Sequence, residues 1–329
     1  MRIEAFTASR DPRDAAANED AFVVLPGRAY AVIDGVTDRS GQRFDGMLSG
    51  RYAALLAARE LETALDPAMV ADPMRAVEHL TRAFAAVYVA QGSTEAAAAD
   101  WGLRVASTLA LATTDATTLR IVLVGDSGVR LNGVRVERAD KDLDVITSLL
   151  RARAWRLAAT RTPDRDACER AARAVVRFGT AQPAQDVPAP LAGDDLAGLH
   201  AAALGESLGQ LPQLPRAVIE DLLAAGIVHG QGAHQNNAAS VLGYSCLDGF
   251  PIPQSLIRRL DVPLAEVRTL EMFTDGYFRP GDTVGVDAWE TAFAAVERED
   301  PAKIEAYLSP KGGTSRTWAD DRTYLAVIF

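Results

Sequence analysis

Four aspartates in this 329-residue chain share one local context, the junction between an apolar run that reads as a strand and a turn. Asp34 follows Tyr30-Ala31-Val32-Ile33, and Asp126 follows Ile121-Val122-Leu123-Val124-Gly125. Asp275 follows Leu270-Glu271-Met272-Phe273-Thr274, and Asp320 precedes the closing run over residues 323–329. Three of them adjoin glycine (Gly35, Gly125, Gly276), whose small size permits tight turns and close backbone approach to a ligand. Carboxylates on converging strand ends repel one another, and a divalent cation bound by hard oxygen ligands offsets that repulsion. Taken singly, each aspartate reads more readily as a turn starter. Four of them, with Asn18-Glu19-Asp20 ahead of the first strand, point to a metal site. Such donors suit Mg²⁺ or Mn²⁺. Two ions about 3.5–4 Å apart can acidify a water and stabilise both the attacking and the leaving oxygen in phosphoester hydrolysis. No side-chain nucleophile is required, and Cys168 lies in a helical Ala-Cys-Glu-Arg setting, not a phosphate-cradling loop.

Asn18-Glu19-Asp20-Ala21, Asp34-Gly35, Gly125-Asp126-Ser127, Thr274-Asp275-Gly276 and Asp320-Asp321-Arg322-Thr323 resemble, in this order, the motifs of the metal-dependent protein phosphatases (the PPM, or type 2C, family), as a divergent bacterial-type member. Each tripeptide is weak alone; order, spacing and strand context together are specific. The resemblance implies an α+β fold of four layers, α-β-β-α, with a central antiparallel β-sandwich flanked by helices. It implies a site for two ions, Mn²⁺ or Mg²⁺, with Asp34 bridging them and Gly35 offering its carbonyl. Asp275 and Asp320 would hold one ion, Glu19 and Asp20 would surround the other, and Asp126 matches the position of a third, weaker ion. The implied activity is hydrolysis of phosphoserine and phosphothreonine in proteins by a metal-activated water. The same site could serve a small phosphomonoester, or a noncatalytic relative that binds metal and regulates a partner; retention of Asp34, Asp275 and Asp320 argues against the last.

The chain departs from the family pattern where phosphate is held. The arginine usual five residues before the aspartate of the first motif is Ala15 here, which leaves Arg10 and Arg13 as candidates from a differently shaped loop, or as ordinary surface charges. Val36 replaces the histidine that eukaryotic relatives often carry after Asp-Gly. Arg279 stands where the family's third-ion aspartate is usual; it argues against a third ion and becomes a further phosphate-binding candidate. Gln235-Asn236-Asn237, with His229 and His234, could line a substrate mouth or be satisfied loop polar groups.

The elements that must position these groups follow from apolar patterning. Strands are expected at residues 21–25, 29–33, 108–113, 119–124, 129–131, 134–137, 240–247, 268–273 and 323–329, with Asn132-Gly133 as a hairpin turn. Helices are expected at 50–65, at 74–88 through the stripe Met74, Val77, Leu80, Phe84, Tyr88, and around Val286, Trp289, Phe293 and Val296. A helical insertion is expected around 140–235, within which residues 180–197 read as an exposed loop. Strand groups separated by helix groups, with hairpin connections, favour layered antiparallel sheets in one domain spanning 1–329.

A net charge of −10 argues against nucleic-acid or anionic-membrane partners, which need a concentrated basic surface. The expected partner is a phosphorylated protein or a small phosphoester. Two cysteines provide neither a disulfide framework nor zinc spacing. With no signal-peptide pattern at Met1–Phe6 and no uncharged apolar stretch of about twenty residues, the expectation is a cytoplasmic protein.

Overall fold

The computed structural model describes residues 1–329. The chain begins with β1 (Arg2–Ala8), β2 (Asp20–Leu25), β3 (Ala29–Asp34) and the two-residue strands β4 (Arg43–Phe44) and β5 (Met47–Leu48). Helices α1 (Ser49–Ala64), α2 (Pro67–Ala71), α3 (Met74–Gln91) and α4 (Thr94–Ala99) follow. Next come β6 (Leu109–Thr114), β7 (Thr118–Val124), β8 (Gly128–Leu131) and β9 (Arg135–Glu137). A helical block then intervenes: α5 (Asp142–Ala159), α6 (Arg165–Phe178), α7 (Asp195–Gln210) and α8 (Arg216–Gly230). The chain closes with β10 (Arg258–Pro263), β11 (Thr269–Phe273), α9 (Val286–Glu299) and β12 (Arg322–Ile328). No helix is long and apolar enough to cross a membrane.

Two five-stranded sheets, ordered β1-β12-β11-β8-β9 and β10-β7-β6-β3-β2, are antiparallel throughout. Their strands read as continuous apolar runs because both faces are covered. On β3, Tyr30 and Val32 face the opposite sheet, while Ala29, Ala31 and Ile33 face α1 and α3. The same two-residue alternation divides β12, whose Leu325 and Val327 enter the space between the sheets while Tyr324 and Ala326 pack on Trp289 and Phe293 of α9. The result is helix, sheet, sheet, helix. The α5–α8 block has its own core, including Ile146, Cys168, Val175, Leu199 and Leu222, joined by Leu242, Tyr244 and Cys246.

Two buried charges are tied by full hydrogen bonding. Glu271 of β11 receives two bonds from Arg130 at 2.6 Å and one each from Trp289 Nε1 and Tyr324 OH at 2.8 Å. Such a pair persists away from water because both carboxylate oxygens find donors, three on Oε1 and one on Oε2.

The structure differs from the sequence expectation over residues 240–247, at two edge strands and at the start of α7. Residues 240–247 form turns instead of a strand, with isolated bridges Gln235–Tyr244 and Ser107–Leu247, because their apolar side chains fill the core of the helical block. Strands β1 and β10 were not expected; both are sheet edges with half their residues exposed, so their apolar signal is thin. Helix α7 begins at Asp195, inside the expected loop. The hairpin at Asn132-Gly133 forms as expected, with both residues at positive φ (55° and 71°) as a tight right-twisted turn requires.

Candidate metal and phosphate site

The sandwich brings the sequence motifs to one end. Asp34 closes β3, Asp126 follows β7, Asp275 follows β11, and Asp320 and Asp321 precede β12; the β2–β3 register sets Asp20 opposite Asp34. One carboxylate oxygen from each of Asp34, Asp126 and Asp275 lies within 4.8 Å of the other two. These three and Gly35 line a cavity of about 110 Å³ with Thr108, Arg39, Lys141, Asp144 and Lys311. Its far wall comes from the helical block and the segment after it: Ile227, Gln231, Gln235, Tyr244 and Cys246.

Close backbone contacts fix the aspartates. A side chain at Gly35 would place Cβ 2.1 Å from the Gly50 carbonyl oxygen, so only glycine lets the Asp34 turn pass α1. At Gly276 the Cβ would lie 1.9 Å from the Asp321 carbonyl oxygen. Gly276→Ala is therefore expected to cost about 3 kcal/mol or more, since backbone cannot yield as a side chain does. Urea unfolding checks this, and a loss under about 0.5 kcal/mol would show that the Asp275 turn relaxes freely. Thr274 joins three motifs: its hydroxyl donates to Asp20 Oδ2 (2.7 Å) and accepts from the Thr323 amide (2.8 Å). Asp321 accepts the Arg10 amide at 2.6 Å and the Glu19 amide at 2.7 Å, tying the loop before β2 to the start of β12.

The electrostatics are those of crowded acids. Burial, then Asp275, pushes the Asp34 carboxyl well above the usual range. Burial, then Asp320 and Asp126, raises Asp275 to about 7. Burial lifts Glu19 to about 7, and burial with Asp321 raises Asp20. Asp126 goes the other way: burial opposes its charge, but Lys141 at 2.8 Å and nearby Arg138 hold it below the usual range. One oxygen each of Glu19, Asp20 and Asp126 is buried with no hydrogen-bond partner. A buried acceptor without a donor is costly. Oxygen-only donors, mutual repulsion and orphaned carboxylate oxygens together fit a hard divalent cation such as Mg²⁺ or Mn²⁺.

The other residues named from the sequence stand elsewhere. Glu19, Asp20 and Asp320 are not among the cavity-lining residues. Asp320 Oδ2 accepts from Lys311 Nζ at 2.6 Å, and its Oδ1 accepts the Asp321 amide at 3.1 Å. Arg13 is exposed and pairs twice with Asp11, at 2.9 and 2.7 Å. Arg10 meets the motifs through its amide, and neither its side chain nor that of Arg279 lines the cavity. Gln235 does line it, while His234 bonds Ser240.

Sequence reasoning passed over Arg39, Lys141 and Lys311. The half-buried Arg39 guanidinium stacks 3.9 Å from the Trp101 ring, donates to Gln231 Oε1 at 3.1 Å, and makes no salt bridge. Burial lowers it to about 10, so it stays charged at neutral pH. Its signal was its place in Asp34-Gly35-Val36-Thr37-Asp38-Arg39, on the loop that leaves the central aspartate.

No protein-family model matches the chain, and no curated protein matches it. Among solved structures it is similar to the serine/threonine phosphatase Stp1 from Staphylococcus aureus, at 13% identity and TM-score 0.44, over 100% of this chain and 95% of that one. PppA, a regulatory component of T6SS in Pseudomonas aeruginosa, is 14% identical at TM-score 0.46, over 100% and 97%. The catalytic domain of the phosphatase PstP, in complex with two manganese ions, is 15% identical at TM-score 0.43, over 99% and 96%. Similarity at this level leaves the functional reading to the site itself.

Proposed function

We propose that the chain is a metal-dependent phosphoric monoester hydrolase acting on phosphoserine and phosphothreonine. The observation that carries this reading is the convergence of Asp34, Asp126 and Asp275 on a cavity that also holds the unpaired guanidinium of Arg39. Asp34, Asp126 and Asp275, with the Gly35 carbonyl close by in the chain, would hold a divalent ion; Mn²⁺ or Mg²⁺ suits their oxygens. When bound, such an ion supplies Lewis acidity and an acidified water. The motif resemblance implies two ions, with Asp320 among their ligands and Glu19 and Asp20 as neighbours.

The protein's own part is to seat and orient the ester. Arg39 offers planar paired donors suited to phosphate oxygens. Stacking on Trp101 and the bond to Gln231 hold that plane toward the cavity without neutralising its charge. Lys141 keeps Asp126 ionised and therefore ready as an oxygen donor. The wall of Ile227, Gln231, Gln235, Tyr244 and Cys246 bounds one side of a cavity narrowed to about 110 Å³. That same narrowing favours a second reading, a compact phosphomonoester as substrate.

Hydrolysis of p-nitrophenyl phosphate with and without Mn²⁺ tests the reaction class, and an unchanged rate on adding and removing metal would sink it. Phosphopeptide and sugar-phosphate panels then separate the two substrate readings. Arg39→Ala is expected to raise KM about 10–100-fold, the equivalent of one charge-assisted hydrogen-bond set, with Arg39→Lys intermediate. An unaltered KM in Arg39→Ala would remove Arg39 from the phosphate site.

A further inference from the structure

Three of the 34 basic residues are lysine, at positions 141, 303 and 311, and the rest are arginine. Two of the three lysines line the aspartate cavity. An ammonium is a compact point charge, where a guanidinium is a broad fork, so lysine is the side chain that can occupy an ion-sized position among carboxylates.

Lys311 Nζ lies 2.6 Å from Asp320 Oδ2. Asp275 and Asp34 are the next carboxylates that hold its charge. Each Asp320 oxygen thus already accepts one donor, Lys311 Nζ on Oδ2 and the Asp321 amide on Oδ1, and the ammonium sits beside the carboxylate where a second cation would have to enter. The backbone that carries Lys311 is held in place, so the ammonium can leave Asp320 only by rotation of its own side chain. Arg151 of α5, fully buried, donates to the Ser309 carbonyl (2.7 Å) and the Lys303 carbonyl (2.7 Å). Glu169 of α6 accepts the Gly312 amide at 3.0 Å, and Ser309 Oγ accepts the Lys311 amide at 3.1 Å. Lys311 is thus fastened on both sides of its backbone. At the other end of the cavity Asp126 is 4% exposed, gives one oxygen to Lys141, and keeps the other buried and unpartnered.

Resting on the divalent-ion reading above, we infer that Lys311 stands in for a second cation: the site takes one divalent ion, among Asp34, Asp126 and Asp275, and Asp320 is neutralised by lysine. Charge supports the count. Asp34, Asp126, Asp144, Asp275 and Asp320, fully ionised, are balanced by Arg39, Lys141, Lys311 and a single divalent ion. A second ion would have to enter against an ammonium already seated beside its ligands.

Equilibrium dialysis against submillimolar free Mn²⁺, with metal analysis, reads the stoichiometry; electron paramagnetic resonance reads whether two ions share a ligand. Wild type is expected to hold one uncoupled Mn²⁺ per chain. Lys311→Ala, and Lys311→Met as the variant that retains bulk, are expected to hold two, with exchange coupling between them. Adding Asp320→Asn to Lys311→Ala should return the count to one. In the wild-type background, Asp320→Asn should keep the ion and Asp126→Asn should lose it, so the inference remains testable if neither Lys311 variant folds. Two ions in wild type, one in both folded Lys311 variants, or loss of the ion in Asp320→Asn would each overturn the inference while leaving a metal-dependent phosphatase intact. No bound Mn²⁺ in wild type would overturn both.

Discussion

Asp275→Asn is expected to reduce Mn²⁺-dependent turnover about 10³-fold while making the metal-free protein more stable. The two effects have one origin. On the proposed reading Asp275, one of the three clustered carboxylates, would be an oxygen donor whose charge is needed when the ion is bound, and the Lewis-acid contribution of an ion is worth several kcal/mol. Each 1.36 kcal/mol is tenfold in rate, which sets the expected loss. Without the ion, that charge is a burden: burial, Asp320 and Asp126 raise its pKa to about 7, against about 3.9 for an unfolded aspartate. Between those values the folded chain holds a proton that the unfolded chain has released, so this contribution to stability falls as pH rises from about 4 to about 7. Glu19, raised to about 7, adds in the same direction.

Metal-free wild type should therefore melt lower at pH 8 than at pH 6, and Asp275→Asn should flatten that slope. Asparagine is expected to recover about 1–3 kcal/mol at pH 8, the full shift being discounted for solvent at the cavity mouth. Mn²⁺ should restore wild type at pH 8 by binding only the folded state, and should do far less for the variant. Melting curves at the two pH values, with and without Mn²⁺, check all of this. A variant that keeps both the wild-type turnover and the wild-type pH slope would remove Asp275 from the site.

The largest loss of stability is expected from Arg151→Met, at about 3–5 kcal/mol. Arg151 and Glu169 are fully buried and bond each other at 2.5 Å, and Arg151 also donates to the carbonyls of Ser309, Ala302 and Lys303. Removing the arginine leaves the buried Glu169 carboxylate with only the Gly312 amide and Arg173 at 3.8 Å, and strands three carbonyl oxygens, which costs more than the pair itself contributes. Glu169→Gln should cost less, because the amide oxygen still accepts from Arg151, although its NH2 then faces the Gly312 amide. Urea unfolding gives the stabilities. Hydrogen exchange over residues 301–312 should speed up in Arg151→Met, since that segment is the one stapled. A loss below 1 kcal/mol with unchanged exchange would refute the staple.

Much of the framework was legible from local pattern. The near-continuous apolar runs of β3, β6, β7 and β12, bounded by turn residues, let strand existence and strand ends be read directly, and aspartates stand at the ends of β3, β7 and β12. Edge strands β1 and β10 escaped because a half-exposed strand carries half the apolar signal. Residues 240–247 misled because a core-filling apolar run reads alike whether it pairs as a strand or wraps beneath helices.

Motif order along the chain was enough to single out Asp34, Asp126, Asp275 and Asp320 and to place each at a strand end, since that follows from local apolar pattern and turn residues. What tertiary structure alone decided is how these four divide. Asp126 joins Asp34 and Asp275 within 4.8 Å, whereas Asp320 is bound to Lys311. Lys311 arrives on a loop anchored to α5 and α6, and Arg39 is held by Trp101 and Gln231. Which cation meets which carboxylate depends on contacts between segments far apart in the chain. Local sequence carries no record of those distances, and electrostatic energy depends on nothing else so steeply.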